Sequence, residues 1–287
     1  MKEVAPGLFV ESSYPPYNLV LITSDRGGIV VDLPPSPIHA MNWLEQARGI
    51  AGTLRYVILT DGMRDRQMGT AVCGVPIVAT EATLRLMKVC DEDRPRRDFM
   101  DELVARYPNE VGAFDNLEPR KPMLAFSESI TLYMGGYDLQ IEAVEGAAPG
   151  SLWIWAADGE LLIAGDTVVS DVVPPMADVP DSKAWLNTMT ALARSASVKM
   201  IIPGRGASAI RKAEIEPQRE FMRVMRRAAR TIAYKGADNL GFKRTAQELG
   251  QTFFNRQGQK AVKQIKAGLE HLVAEIAALE EAEDVEV

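Results

Sequence analysis

The sequence predicts a mixed α/β (α+β) protein in which two strand-rich halves, separated by a helix, are followed by a helical C-terminal stretch. Hydrophobic residues make up 47% and charged residues 25% of the 287 positions, a balance that closes a core in water without requiring a second folding unit. Short β-branched runs bounded by Gly, Asp and Pro recur on both sides of a helix-like segment. From Glu216 onward the apolar spacing turns helical, with breaks only near 236–241 and 255–258. These observations divide the chain into a main unit over 1–215 and a helical extension over 216–287 packed on it.

Taken in order, the first 35 residues read as strands. Asn18–Thr23 and Gly28–Leu33 pair across the turn Ser24-Asp25-Arg26-Gly27. Past Pro34-Pro35-Ser36-Pro37, residues Ile38–Gly49 have helical spacing, and Leu54–Thr60 is an apolar, β-branched run that suits a buried strand. Val75–Ala79 is another short strand, and the Thr80 hydroxyl caps the helix after it. Arg94–Tyr107 is more polar and reads as an insertion. Strands then return at Ile130–Met134, Tyr137–Val144, Leu152–Ala156 and Leu161–Ala164, with Gly135-Gly136 and Asp158-Gly159 as hairpin turns. Asp181 or Ser182 caps a further helix, and Val198–Ile202 is the last strand, ending in Pro203-Gly204-Arg205-Gly206. The acidic end Glu280–Val287 reads as a frayed, solvated tail.

A formal net charge of −7 argues against a general nucleic-acid surface, because phosphate binding rests on clustered Lys and Arg. No apolar stretch is long enough to span a bilayer, and the first residues lack a long apolar signal region, so a cytoplasmic protein without membrane contact is expected. The two cysteines, Cys73 and Cys90, form no C-x-x-C pair and read as buried free thiols. The two histidines, His39 and His271, lie far apart in sequence, His271 among charged neighbours that suggest exposure.

Four short stretches, in order, carry a resemblance. Tyr56-Val57-Ile58-Leu59-Thr60 leads into Asp61-Gly62-Met63-Arg64-Asp65-Arg66; Gly146-Ala147-Ala148-Pro149-Gly150-Ser151 is a tight turn; Leu161-Leu162-Ile163-Ala164-Gly165-Asp166 is a strand ending in aspartate; Ile201-Ile202-Pro203-Gly204-Arg205-Gly206 closes the series. Together they resemble the metallo-β-lactamase superfamily, from about residue 5 to the terminal helices. The resemblance implies a four-layer αββα sandwich. The first stretch is similar to the strand and H-x-H-x-D-H loop of that family, the second to its G-H-T-P-G-S turn, the third to the strand bearing its bridging aspartate, and the fourth to its P-G-H-G.

Carried over position by position, one metal site would retain Asp61, Met63, Ala147 and Asp166, and the other Asp65, Arg66, Arg205 and Asp166. Only Asp65 and Asp166 keep the family's residue. Zinc takes about four N, S or carboxylate-O ligands in a tetrahedron, whereas a methyl group offers none and a thioether is a poor one. A guanidinium stays protonated and has no lone pair to give. The expectation is therefore a pseudoenzyme: no zinc, no other cofactor, no catalytic residue, and a binding, scaffolding or regulatory role. In this reading Arg66 and Arg205 replace the metal's charge by pairing with Asp65, Asp166 and Asp61. The alternative is a Mg²⁺ or Mn²⁺ site on Asp61, Asp65 and Asp166 that hydrolyses an ester, thioester or phosphodiester.

Two helical stretches bear on partners, which are expected to be a small anionic ligand or another protein. Residues 219–235 carry Arg223, Arg226, Arg227, Arg230 and Lys235 as a solvent face opposite an apolar one. Val262, Ile265, Leu269, Leu272, Val273, Ile276 and Leu279 form a stripe that suits packing within the monomer or a homodimer through the C-terminal helices. Trp153 and Trp155, two apart on a strand, share one face.

Overall fold

The structure is a computed structural model that describes residues 1–89, 100–101, 103–114, 117–136, 138–236 and 238–285, with the backbone alone at 239 and 280–285. Two sheets make its centre. The first holds β1 (Lys2–Ala5), β2 (Leu8–Glu11), β3 (Leu19–Ser24), β4 (Gly27–Val31), β5 (Leu54–Ile58), β6 (Ile77–Thr80) and β7 (Leu124–Phe126) in chain order. Its pairing is antiparallel up to β4 and parallel from there to β7. The second holds β8 (Ser129–Tyr133), β9 (Asp138–Ala143), β10 (Leu152–Ala156), β11 (Leu161–Val169), β12 (Met200–Arg205) and β13 (Ile210–Arg211), antiparallel except for the β11–β12 pair.

Parallel neighbours cannot be joined by a tight turn, so each such pair needs a crossover. Helix α1 (Pro37–Ala51) provides it between β4 and β5. Pro37 opens this helix, the Ser36 hydroxyl accepts from the His39 amide at 3.1 Å, and the buried set Ala40, Trp43, Leu44 and Ala47 repeats at helical spacing toward the first sheet. The helices α2 (Arg64–Met68) and α3 (Glu81–Val89) follow β5 and β6, and Thr80 caps α3 as expected, its hydroxyl accepting from the Thr83 amide at 3.2 Å. Helix α4 (Ser182–Arg194) crosses from β11 to β12, with the Asp181 carboxylate accepting from the Ala184 amide at 2.8 Å.

Three apolar layers hold these parts together. One lies between α1 and the first sheet, around Trp43, Leu44 and Val57. The second fills the space between the sheets, where Leu8, Ile22 and Ile58 meet Leu139, Ile154 and Ile163. The third joins the outer face of the second sheet to α4 and to α5 (Glu216–Lys235), α6 (Asn239–Phe253) and α7 (Gly258–Val285), through Trp153, Leu162, Trp185, Phe221, Met225, Leu269 and Leu272. Helix, sheet, sheet, helix is the expected four-layer order. The 216–287 stretch shares the second sheet's apolar layer and has no separate core of its own among the described residues.

Several elements differ from the sequence reading. The strand expected at Leu161–Ala164 continues to Val169 with all nine residues buried, because it is paired on both edges and covered on both faces, so nothing breaks the run where the polar Asp166 enters. The strand expected at Val198–Ile202 is Met200–Arg205, which takes Arg205 out of the turn and onto the sheet, and the short β13 follows it. The backbone of α7 runs to Val285, so residues 280–285, read as frayed, are helical. Cys73 is buried; Cys90, Tyr137 and 94–99 within the expected insertion lie outside the described residues. No helix among the described residues is long and apolar enough to cross a membrane.

Arg226 does not belong to the solvent face assigned to it. It is buried, donates to the Ser182 hydroxyl and lies 3.5 Å from Glu275, whose carboxylate also accepts from the Ser182 amide and hydroxyl at 3.0 and 2.9 Å. The physical reason is α7, which covers this side of α5. His271 is likewise half-buried rather than exposed, its Nε2 2.7 Å from the Val179 carbonyl. These contacts dock the terminal helix onto the start of α4, and Ile265, Leu269, Leu272 and Ile276 of its stripe are buried within the chain. Arg226→Ala is expected to lower stability by about 1–3 kcal/mol, because it removes one side of a buried ionic contact. Urea unfolding of the variant against the parent protein checks this. Trp153 and Trp155 meet edge to face at 5.7 Å on one face, as expected.

Candidate active site

The C-terminal ends of β4, β5, β11 and β12 converge between the two sheets, and each delivers one polar residue. Asp32, held at φ 61°, follows β4; Thr60 and Asp61 follow β5; β11 carries Asp166; β12 ends in Arg205. The short helix α2 follows β5 at once and turns Asp65 and Arg66 back over the same point. Of the sequence-derived positions, Asp61, Met63, Asp65, Arg66, Asp166 and Arg205 come together here. Ala147 is fully buried in the apolar layer behind the second sheet.

Arg66 is the centre of the cluster and has no exposed surface. Its Nη2 donates to Asp166 Oδ1 at 2.8 Å, its Nη1 lies 3.4 Å from Asp32 Oδ2, and its Nε lies 3.9 Å from Asp61 Oδ2. Arg205 takes the other side of the same aspartate, with Nε and Nη2 donating to Asp166 Oδ2 at 2.9 and 2.6 Å. Asp65 is 3.7 Å from Arg205 Nη2 and accepts from the Tyr17 hydroxyl at 2.5 Å. The Tyr17 ring lies under both guanidiniums, 4.9 Å from Arg66 and 5.2 Å from Arg205. Its hydroxyl accepts from Arg106 Nη1 at 3.0 Å.

The turn after Arg205 is built for close approach. A Cβ at Gly204 would stand 2.4 Å from Asp166 Oδ1, and one at Gly206, where φ is +95°, would stand 1.8 Å from the Ser170 carbonyl oxygen. Only glycine on both sides lets β12 press its arginine onto the neighbouring strand's aspartate. Asn18 ties this turn to the first sheet, donating through Nδ2 to the carbonyls of Pro203 and Ala207, each at 2.9 Å.

Burial and pairing divide the carboxylates. Burial acts most strongly on Asp166, yet Arg205 and Arg66 outweigh it and hold the group below the ordinary carboxylate range. Asp61 is pushed up to about 8, chiefly by burial, with Arg66 opposing and Asp166 and Asp32 reinforcing. Asp32 is also raised by burial, against Arg66 and two bonds from Thr60, whose amide and hydroxyl donate at 2.9 and 2.6 Å. Burial raises the Tyr17 phenol, so it stays protonated and donates. The buried oxygens Asp61 Oδ2 and Asp65 Oδ1, and the buried nitrogens Nε and Nη1 of Arg66, have no hydrogen-bond partner among the described residues.

Sequence reasoning placed six of these residues and missed Asp32, Tyr17, Thr60 and Arg106. An aspartate closing a β-branched strand just before prolines was the available sign for Asp32; nothing local marked Tyr17 or Arg106.

A zinc ion does not fit this donor set. Both oxygens of Asp166 are taken by guanidinium N–H groups, and the residues around it add carboxylates already facing arginine, a thioether and cations. Among the described residues no three or more His, Cys, Asp or Glu side chains are grouped so as to hold a metal ion. A cleft of about 790 Å³ lies beside the cluster, lined by Met63, Arg64, Asp65, Leu103, Arg106 and Asp178 among others. Asp65 and Met63 reach this cleft from the cluster, whereas Arg66, Asp166 and Arg205 are not among the residues that line it.

The sequence matches no protein-family model and no curated protein. Solved structures do align. A metallo-β-lactamase family protein from Thermus thermophilus superposes with a TM-score of 0.67 at 18% identity, covering 98% of this chain and 95% of that one. A metallo-β-lactamase from Pontibacter korlensis gives 0.60 at 16% identity, covering 77% and 97%. A stereoselective inverting sec-alkylsulfatase from Pseudomonas sp. gives 0.65 at 15% identity, covering 94% of this chain and half of that one. The chain has the metallo-β-lactamase fold.

Proposed function

We propose that this metallo-β-lactamase-fold protein binds a small anionic ligand without hydrolysing it, Arg66 and Arg205 standing where the fold's metal ions would. Saturation of Asp166 by two arginines is the observation that carries this reading. A metal ion at such a centre would supply an activated water and polarise the bond to be cut. A guanidinium can supply charge and hydrogen bonds, and it cannot ionise water at neutral pH. Arg66 is fully buried, bonded to Asp166 and 3.4 Å from Asp32, so it is not free to withdraw and admit a cation. What remains accessible is the cleft beside the cluster, whose volume suits a small molecule.

Metal analysis of protein purified without chelator, from cells supplied with zinc and manganese, tests the proposal. Substoichiometric metal and no turnover of ester, thioester or phosphodiester probes are expected. Near-stoichiometric zinc with hydrolysis overturns it, and manganese-dependent hydrolysis lost in Asp61→Asn restores the carboxylate-site alternative.

A further inference from the structure

Resting on that reading, we infer that the cleft takes an amphipathic 2-hydroxy or 2-amino carboxylate, with Arg106 gripping the carboxylate and Asp65 receiving the neighbouring O–H or N–H. Three observations lead here. The walls formed by Leu86, Val89, Leu103 and Pro149 are apolar, and Val89 is 56% exposed, so an aliphatic or aromatic tail has surface to cover.

At the polar end, Arg106 lines the cleft and is exposed. Its guanidinium makes one hydrogen bond, to the neutral Tyr17 hydroxyl, and no ion pair among the described residues. Arg66 and Arg205, in the cluster beside the cleft, are committed to Asp166, and Arg64 lines the cleft together with Arg106. Arg106 therefore keeps the planar fork that matches a carboxylate through two parallel bonds.

Asp65 supplies the second half. Its Oδ2 is engaged by Tyr17 and faces Arg205, while the residue lines the cleft and its Oδ1 is buried with no partner among the described residues. A buried acceptor left without a donor is costly, and a ligand donor would satisfy it. The Tyr17 hydroxyl donates to Asp65 and accepts from Arg106, so the free oxygen and the free fork stand on either side of one hydroxyl group. A hydroxyl or amine on the carbon next to a carboxylate offers a donor and an acceptor pair at that short spacing. Octanoate alone would leave Asp65 unmet, and an alkylamine would face Arg106 with like charge.

Titration calorimetry on the intact protein, with 2-hydroxyoctanoate, octanoate and octylammonium as probes, tests this. Saturable one-to-one binding of 2-hydroxyoctanoate is expected, tighter than octanoate by about tenfold or more. Arg106→Gln, at an exposed position, should keep the parent's thermal midpoint and weaken 2-hydroxyoctanoate by about tenfold or more, with Arg106→Lys in between. Equal affinity for the two carboxylates, preference for octylammonium, no binding at all, or undiminished binding by Arg106→Gln each overturns the inference. Failure here with substoichiometric metal leaves the reading of the arginine-filled centre standing, whereas bound zinc removes that reading whatever the probes do.

Discussion

Arg66→Ala is expected to cost about 3–5 kcal/mol at neutral pH, a large share of the stability of a domain this size. The side chain is entirely buried, and three carboxylates face it: Asp166 at 2.8 Å, Asp32 at 3.4 Å and Asp61 at 3.9 Å. Deleting the cation leaves those groups crowded in a space closed to water, with Arg205 alone to balance them. The loss is therefore larger than that of a surface ion pair, where solvent takes over the work of the missing partner. Its pH dependence identifies its origin. Arg66 lowers the pKa of each of the three aspartates, so its removal raises them all, and the variant's native state takes up protons at a higher pH than the parent's. The deficit should shrink as pH falls from 7 to 5. Paired urea unfolding curves at the two pH values measure it. A deficit under about 1 kcal/mol at pH 7, or one that grows on acidification, would mean that the arginine does not neutralise this cluster.

The same cluster shows how far the sequence could be read. The fold was legible because its signals are local and repeated. β-Branched runs, the Ser24–Gly27 turn, the capping residues Thr80 and Asp181 and the glycine-flanked Arg205 each report on a neighbourhood of a few residues. The four ordered stretches then place Asp61, Asp65, Arg66, Asp166 and Arg205 on one rim. Partner choice was harder to see, since it depends on packing. Arg66 was expected among Asp65, Asp166 and Asp61, and it pairs most closely with Asp166 and with Asp32, which reaches it from the end of a different strand. Tyr17 enters because its single bridge to Arg205 brings the segment before β3 against the far sheet. Arg226 shows the limit in another way. Its spacing on α5 gives a polar face, and only the return of α7, some fifty residues later, buries this one arginine of it.

Asp61→Asn is expected to flatten the pH dependence of stability. In the folded chain Asp61 is pushed up to about 8 from an ordinary 3.8, burial being the largest cause. Between those limits the native state holds a proton that the unfolded chain has released, so the parent protein loses stability steadily as pH rises through this window and levels off above pH 8. At about 1.4 kcal/mol for each pH unit the full effect would approach about 6 kcal/mol, and relaxation around the site reduces it to a few kcal/mol. Asparagine carries no charge to bury, and its carbonyl can still accept the Met63 amide bond that Asp61 Oδ1 accepts at 2.8 Å. The variant should gain on the parent by a few kcal/mol between about pH 4 and pH 8. Asp166, whose pKa is lowered, works in the opposite sense, adding stability above the ordinary carboxylate range that is lost in acid, and it remains in both proteins. Asp32, raised like Asp61, also remains in both, so the comparison isolates residue 61. The slope of unfolding free energy against pH is the quantity to compare, because the new amide nitrogen facing Arg66 can shift the absolute level. Parallel slopes would show that Asp61 is ionised in the native state and paired with Arg66.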